Sequence, residues 1–391
     1  MPFATRPLLY LLLLVLSVAC ARRPVALEPL AVRSSAYHVA VPDRGPASVP
    51  AQLPGLPLEV LPPARILPSA VEVTHDAYEQ AYKELAKMLD GRYPLSFKRA
   101  VFISENAYFD SRLDYEEFNS QIVALSQLCR LLKTSNDPYF LYDRADKELV
   151  ARNAAIFMMM KDSTRLGKGR VVAPFRYDFD DFNGDADWRK MFVSKLLISH
   201  KGNCHSLPFL YKMIADETGA PTWLSLAPNH IYLKQHNQKD GWYNTELTSR
   251  TFPNDAWLTA SGYISKETIV SGIYMDTLSA KQNVVLCLVD LAKGYERRVG
   301  PAAAEPFILK CTELALLHFP HYINAQLLRA EALRHQFERQ QSTATSQQAF
   351  AAMEAAYTRI FETGYREMPA QMYTDWLQAV VKEKAKYQTQ H

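Results

Sequence analysis

Between residues 200 and 246 the chain carries a thiol, an imidazole and a carboxylate in an order that suits a nucleophile, its base and the group that orients the base. The stretch HKGNCHSLPFLYKMIADETGAPTWLSLAPNH runs from His200 to His230. A free thiol of pKa ~8.5 is only slightly ionised at neutral pH, so a nucleophilic cysteine must be activated. Cys204 falls at the start of a helix, where unpaired N–H groups and the helix dipole favour negative charge. The base must come from elsewhere. His205 is the neighbour in sequence, but adjacent residues on a helix point about 100° apart, so it is poorly placed. His230 opens a strand and is the better candidate.

Three elements have to position these groups. Gly202-Asn203 makes the turn, and LPFLYKMIADETG makes the helix. Leu207, Leu210, Tyr211 and Ile214 form its core-facing stripe, and Gly219 is its C-terminal cap. Pro208 lies a full turn in, so either the helix proper starts after Cys204 or its first turn is irregular. HIYLKQ and WYNTELTS then alternate as two strands, with HNQKDG as a polar turn. His230, Tyr232 and Lys234 share one face of the first strand; Trp242, Asn244 and Glu246 share one face of the second. If the hairpin turns near Gln238, residues summing to about 476 pair, which sets Glu246 opposite His230 at roughly 5 Å between Cβ atoms. A carboxylate there holds one imidazole nitrogen and leaves the other for the thiol. A register one residue away gives that role to Asn244 or to no residue.

Other readings of these residues compete. An isolated cysteine on an apolar helix is commonly core, and His230 and Glu246 can be a satisfied histidine and a solvated strand carboxylate. His200, Cys204 and His205 suggest zinc only weakly, because Gly202 breaks the helical register and no second ligand pair follows. RVVAPFRYDFDDFNGDADW holds five aspartates, but with Gly184 as the sixth position of a calcium loop the first is Phe179 and the twelfth Lys190, both wrong. It reads as a solvated acidic turn. No metal and no cofactor are therefore expected.

Gly202-x-Cys204 opening a helix, Gly219-Ala220-Pro221 after it, His230 opening a strand and Trp242-x-x-x-Glu246 in the next resemble the transglutaminase-like core, shared by transglutaminases, related bacterial peptidases and arylamine acetyltransferases. The resemblance covers about residues 177–249. It implies a papain-like fold with Cys204 as nucleophile, His230 as general base and Glu246 where aspartate is usual. It also implies an acyl-thioester intermediate on Cys204, formed from an amide or acyl bond of a peptide or protein. The oxyanion would be met by the Cys204 backbone N–H and a second donor, for which Asn203 and Trp188 are candidates by proximity. The flanking helices resemble a bacterial subgroup of the same architecture.

The rest of the chain frames this core. It has 391 residues, 48% hydrophobic and 22% charged, with 44 basic and 41 acidic side chains and a net charge of +3. Without a dense basic run, nothing points to nucleic acid. Residues 1–20 read as a signal peptide, with Arg6 before an apolar run from Leu8 to Ala19 too short to span a bilayer. Ser17-Val18-Ala19-Cys20 resembles a lipobox that would acylate Cys20, and Ala19-Cys20-Ala21 fits ordinary secretory cleavage. Either way export is expected, to periplasm or cell surface, with a lipid anchor as the preferred form. Residues 21–72 read as a proline-rich tether. Residues 73–170 are helical, with Tyr78, Tyr82, Leu85 and Leu89 on one stripe and Met158-Met159-Met160 as core filling. Residues 171–262 hold the core, and residues 263–391 hold helix pairs about forty residues apart that read as tetratricopeptide-like, a surface for a protein partner. Cys129, Cys287 and Cys311 read as buried thiols, with disulfide pairing left open in an oxidising compartment. The fold class expected is α+β: a helix packed on an antiparallel sheet, flanked by helical segments. Two functions stand: an exported thiol enzyme, or a non-catalytic module that binds partners through its helical repeats.

Overall fold

A computed structural model describes residue 67, residues 75–137, 140–166, 171–259, 263–339 and 343–369, and residues 371, 372 and 375. All of them belong to the unit Val39–His391. The signal peptide, Cys20 and the proline-rich tether lie outside the described residues.

The helical stripes seen in the sequence become four helices: α1 (His75–Leu89), α2 (Phe97–Tyr108), α3 (Tyr115–Asn136) and α4 (Lys147–Lys161). Ser96 caps α2 by accepting the Arg99 N–H, and Asp114 caps α3 by accepting those of Glu116 and Glu117. Such caps satisfy N–H groups that have no partner within the helix. Tyr78, Leu85 and Leu89 are fully buried, and Met159 and Met160 fill the core beside them.

The middle of the chain is mixed. Short pairs β1 (Thr164–Arg165) with β2 (Val171–Val172), and β3 (Arg176–Tyr177) with β4 (Lys201–Gly202), flank a 3₁₀ turn at Trp188–Met191 and helix α5 (Val193–Ser199). Helix α6 (Ser206–Thr218) follows, closed by Gly219 in the left-handed conformation at φ 68°. A three-stranded antiparallel sheet comes next, β5 (Trp223–Ala227), β6 (His230–Asn237) and β7 (Gly241–Thr245), with β6 in the centre. Strand β5 was not expected. Its residues Leu224 to Ala227 are all buried, so the run lacks the alternation that marks a strand with one wet face. Strand β7 is shorter than WYNTELTS, because the chain leaves the ladder at Glu246 and turns back in a bridge to Thr251.

After α7 (Asp255–Thr259) and α8 (Lys266–Val270) come α9 (Ala280–Val299), α10 (Pro301–His318), α11 (Ile323–Arg339) and α12 (Thr343–Glu362), each packed on the next. Ser279 and Gln282 form a reciprocal capping box that starts α9. The fold is thus α+β. Among the described residues, one apolar core runs from Tyr78 of α1 through Leu210 of α6 and Leu233 of β6 to Leu288 of α9 and Ala330 of α11. Among the described residues, no helix is long and apolar enough to cross a membrane.

Candidate active site

The first turn at the head of α6 is built by Asn203. Its carbonyl accepts the Leu207 N–H at 3.1 Å, and its Oδ1 accepts the N–H groups of His205 and Ser206 at 3.1 and 3.0 Å. Ser206 Oγ accepts the Asn203 N–H in return, at 3.1 Å. This is a capping box with asparagine as the cap. It sets Cys204 at the first position of the turn, one residue inside the cap. Pro208 has no N–H to give the Cys204 carbonyl, and α6 proper starts at Ser206. Gly202 is required by space: a Cβ there would come within 2.6 Å of Ser206 Oγ and 2.8 Å of Leu196 Cδ1.

With Oδ1 on the cap, the Asn203 Nδ2 donates to the Phe182 carbonyl at 2.8 Å and approaches Met191 Sδ at 2.9 Å. The side-chain amide is thus engaged on both sides, by the cap and by Phe182 and Met191. Trp188 lines the small cavity that His205 also lines. It packs with Phe109 and Phe192 and against Gly294 of α9, and its Nε1 is buried without a hydrogen-bond partner.

His230 is delivered by the turn between β5 and β6. Ala227 pairs with His230 across a two-residue connection, Pro228-Asn229, and Asn229 takes φ 54°. Proline followed by a left-handed asparagine suits a type II turn. The hairpin from β6 to β7 has a different register from the one expected. Lys234 pairs with Asn244 and Leu233 with Thr245, which extends to Tyr232 opposite Glu246. Glu246 is therefore diagonal to His230. A shift of two residues keeps the face, so the two side chains still meet. His230 Nε2 hydrogen-bonds Glu246 Oε2, and the Thr248 N–H donates to Glu246 Oε1 at 2.7 Å. Asn244, the alternative orienting group, instead donates to the Pro253 carbonyl and Asp255.

Cys204 lies beside the His230 ring and favours its charged form. Glu246 holds Nε2, so proton exchange with the thiol would fall to Nδ1. Cys204 is half-buried, and its Sγ lies 3.7 Å from the Asn229 carbonyl oxygen. His230 and Glu246 are only 4% and 2% exposed, so water does little to screen their charges. Burial alone would lower the His230 pKa, but the Glu246 carboxylate and Cys204 outweigh it and hold it at about 10. Burial would raise Glu246, yet His230 and the Thr248 N–H bring it below its usual value. The other described cysteines differ. Cys129, Cys287 and Cys311 are free and fully buried, and burial drives their thiols upward.

Sequence reasoning passed over a second cation. His205 points away from the cleft, with Nδ1 3.0 Å from the Met191 carbonyl and Nε2 3.0 Å from Asp290 Oδ2 on α9. Both partners only accept, so both ring nitrogens carry hydrogen and the ring is charged. Burial lowers its pKa, Asp290 raises it by more, and the net shift is upward. Glu105 of α2 lines the same small cavity, its carboxylate capping α5 through the Val193 and Ser194 N–H groups. A fixed cation next to Cys204 favours its thiolate. Asp290→Asn is expected to raise the pH midpoint of Cys204 alkylation by roughly half a unit to one unit, with an unchanged far-UV spectrum.

The zinc and calcium alternatives meet a different geometry. His200 stacks on Phe175 and bonds the Ala173 carbonyl. Asp181 accepts the Ala186 and Asp187 N–H groups, Asp187 pairs with Arg189, and Asp178 pairs with Lys190 and Lys195. Among the described residues, no group of three or more His, Cys, Asp and Glu is placed to hold a metal ion. Comparison with protein-family models, with curated proteins and with solved structures found no match.

Proposed function

We propose that the chain is a transglutaminase-like thiol enzyme with a papain-like core, acting on amide or acyl bonds of peptides or proteins through a thioester on Cys204. The observation that carries this reading is the buried His230–Glu246 pair beside a half-buried thiol at the head of α6. The Cys204 thiolate attacks the carbonyl carbon, and the oxyanion forms beside the Cys204 backbone N–H. As the C–N bond breaks, His230 passes its Nδ1 proton to the leaving amine. Glu246 keeps the Nε2 proton and the ring's orientation. Water or an amine then attacks the thioester carbonyl and gives its proton to His230, and the C–S bond breaks to release the Cys204 thiolate. In the same reading the protein is exported and anchored through an acylated Cys20, and helices α9 to α12 form a tetratricopeptide-like surface for a protein partner.

The test is iodoacetamide alkylation of the mature protein from pH 4 to 9, with the modified cysteine mapped by mass spectrometry. Cys204 is expected to label with a midpoint well below ~8, while Cys129, Cys287 and Cys311 stay unmodified until the protein unfolds. An ordinary midpoint at Cys204 would end the enzyme reading and leave the helical scaffold as the function.

A further inference from the structure

The approach to Cys204 is covered by the chain's own C-terminal part. Helix α12 ends at Glu362, and the chain turns at Gly364, where φ is 78° and an added Cβ would lie 2.8 Å from the Glu267 Cβ. Ser271 Oγ holds the Thr363 carbonyl at 3.1 Å. Residues 365–369 then run without regular secondary structure, with Arg366 and Glu367 exposed. Met368 is the exception. It is 6% exposed, and its side chain packs against Tyr177, Phe182, Tyr263 and Cys204 itself. Its carbonyl oxygen accepts a hydrogen bond from Asn229 Nδ2 at 3.3 Å. Asn229 is the residue before His230, and its own carbonyl faces Cys204 Sγ. One apolar side chain thus fills an aromatic recess that touches the thiol, and one main-chain carbonyl is held beside it.

That is how a cleft reads a peptide: a main-chain hydrogen bond fixes the strand and a side-chain pocket selects the residue. An unbranched thioether fits a recess of aromatic edges well. From this geometry we infer that the recess of Tyr177, Phe182 and Tyr263 is a subsite for an unbranched apolar side chain on an extended peptide, and that residues 365–369 fill it in the full chain as an intramolecular strap. The inference rests on the reading of Cys204 as a nucleophile and narrows its substrate class. It also makes the resting protein self-covered. A substrate must displace the strap from the cleft, where the described residues hold it by the Met368 side chain and carbonyl, while Tyr365 packs half-buried against the main core; a segment with few such contacts opens locally at lower cost than the core does.

The test compares the iodoacetamide labelling rate of Cys204 at one pH in the wild-type chain, Met368→Ala and Met368→Asp, with and without the peptide TGYREMPAQM. Both variants are expected to label faster, the aspartate by roughly tenfold or more, the scale of losing one buried apolar contact. Met368→Ala adds no charge and so separates uncovering from any effect of the carboxylate on the thiol. The free peptide should slow labelling of both variants again, and the same peptide with aspartate in place of methionine should not. Wild-type rates in both variants, or no protection by the peptide, would overturn the strap and the subsite. The pH midpoint of Cys204 is read from the same samples and reports on the thiolate alone. A depressed midpoint with unchanged rates removes the strap and keeps the enzyme. An ordinary midpoint with peptide protection removes the enzyme and keeps a peptide-binding cleft.

Discussion

His230→Ala is expected to raise the Cys204 alkylation midpoint most of the way toward ~8.5 and to lower acyl transfer by roughly a thousandfold to ten-thousandfold. The argument runs through the His230 ring. With its pKa at about 10, the ring is cationic across the neutral range and lies beside the thiol. A buried cation beside a sulfur favours thiolate by the same amount that thiolate favours the cation, so removing one partner undoes the other. The variant keeps the contribution of the helix head and of the His205 charge, and some residual reactivity above that of a free cysteine should remain. The wild-type profile carries a second expectation. Because His230 is shifted upward, no inflection near pH 6.5 should appear between the thiolate midpoint and the alkaline limb. Alkylation kinetics across pH 4–10 check both points, and a His230→Ala midpoint equal to that of the wild type would exclude the pair as the source of activation.

The same linkage acts on folding. His230 sits above its ordinary value, so its contribution to stability is complete below about 6.5 and is lost as pH rises toward 10. Glu246 sits below its ordinary value, so its contribution is complete above about 4.5 and is lost as pH falls through the depressed pKa. The pair therefore holds the fold best in a mildly acidic window.

The helix start, the Gly219 cap, the strand that begins at His230 and the face carrying Glu246 were all legible in residue spacing, because each depends on local chemistry. The pairing register was off by two, since the loop is Gln238 to Asp240, organised by Asn237 Oδ1 accepting the Lys239 and Asp240 N–H groups. Alternation fixes which face a residue takes but not how far along the strand it pairs, so an error of two leaves the contact intact. The cap formed by Asn203 has a related lesson. An asparagine beside the nucleophile offers donors to either role, and only the cap geometry decides between them. His205–Asp290 and Met368 had no sequence signal. Each is a contact between residues 85 or more apart, and nothing in local periodicity encodes which distant side chain arrives.

Glu246 carries the second large effect, and its length is part of the reason. A residue directly opposite His230 would have its Cβ about 5 Å away, whereas a diagonal neighbour starts at about 7 Å. From the diagonal position, glutamate's extra methylene is what lets Oε2 reach Nε2 while Oε1 takes the Thr248 N–H. Glu246→Ala removes one half of a buried ion pair and is expected to cost about 3–5 kcal/mol. Glu246→Asp should recover only part of that, since it restores charge without reach. Glu246→Gln separates charge from shape: it keeps the length, lets His230 lose its proton near neutrality and raises the Cys204 midpoint. Urea denaturation at pH 6 and pH 10 tests the assignment by sign. The stability gap between wild type and Glu246→Gln should be widest at pH 6, where His230 is charged, and should narrow at pH 10, where it loses its proton. A gap that stays constant would mean that Glu246 supports the fold by packing alone and that His230 owes its charge to another group.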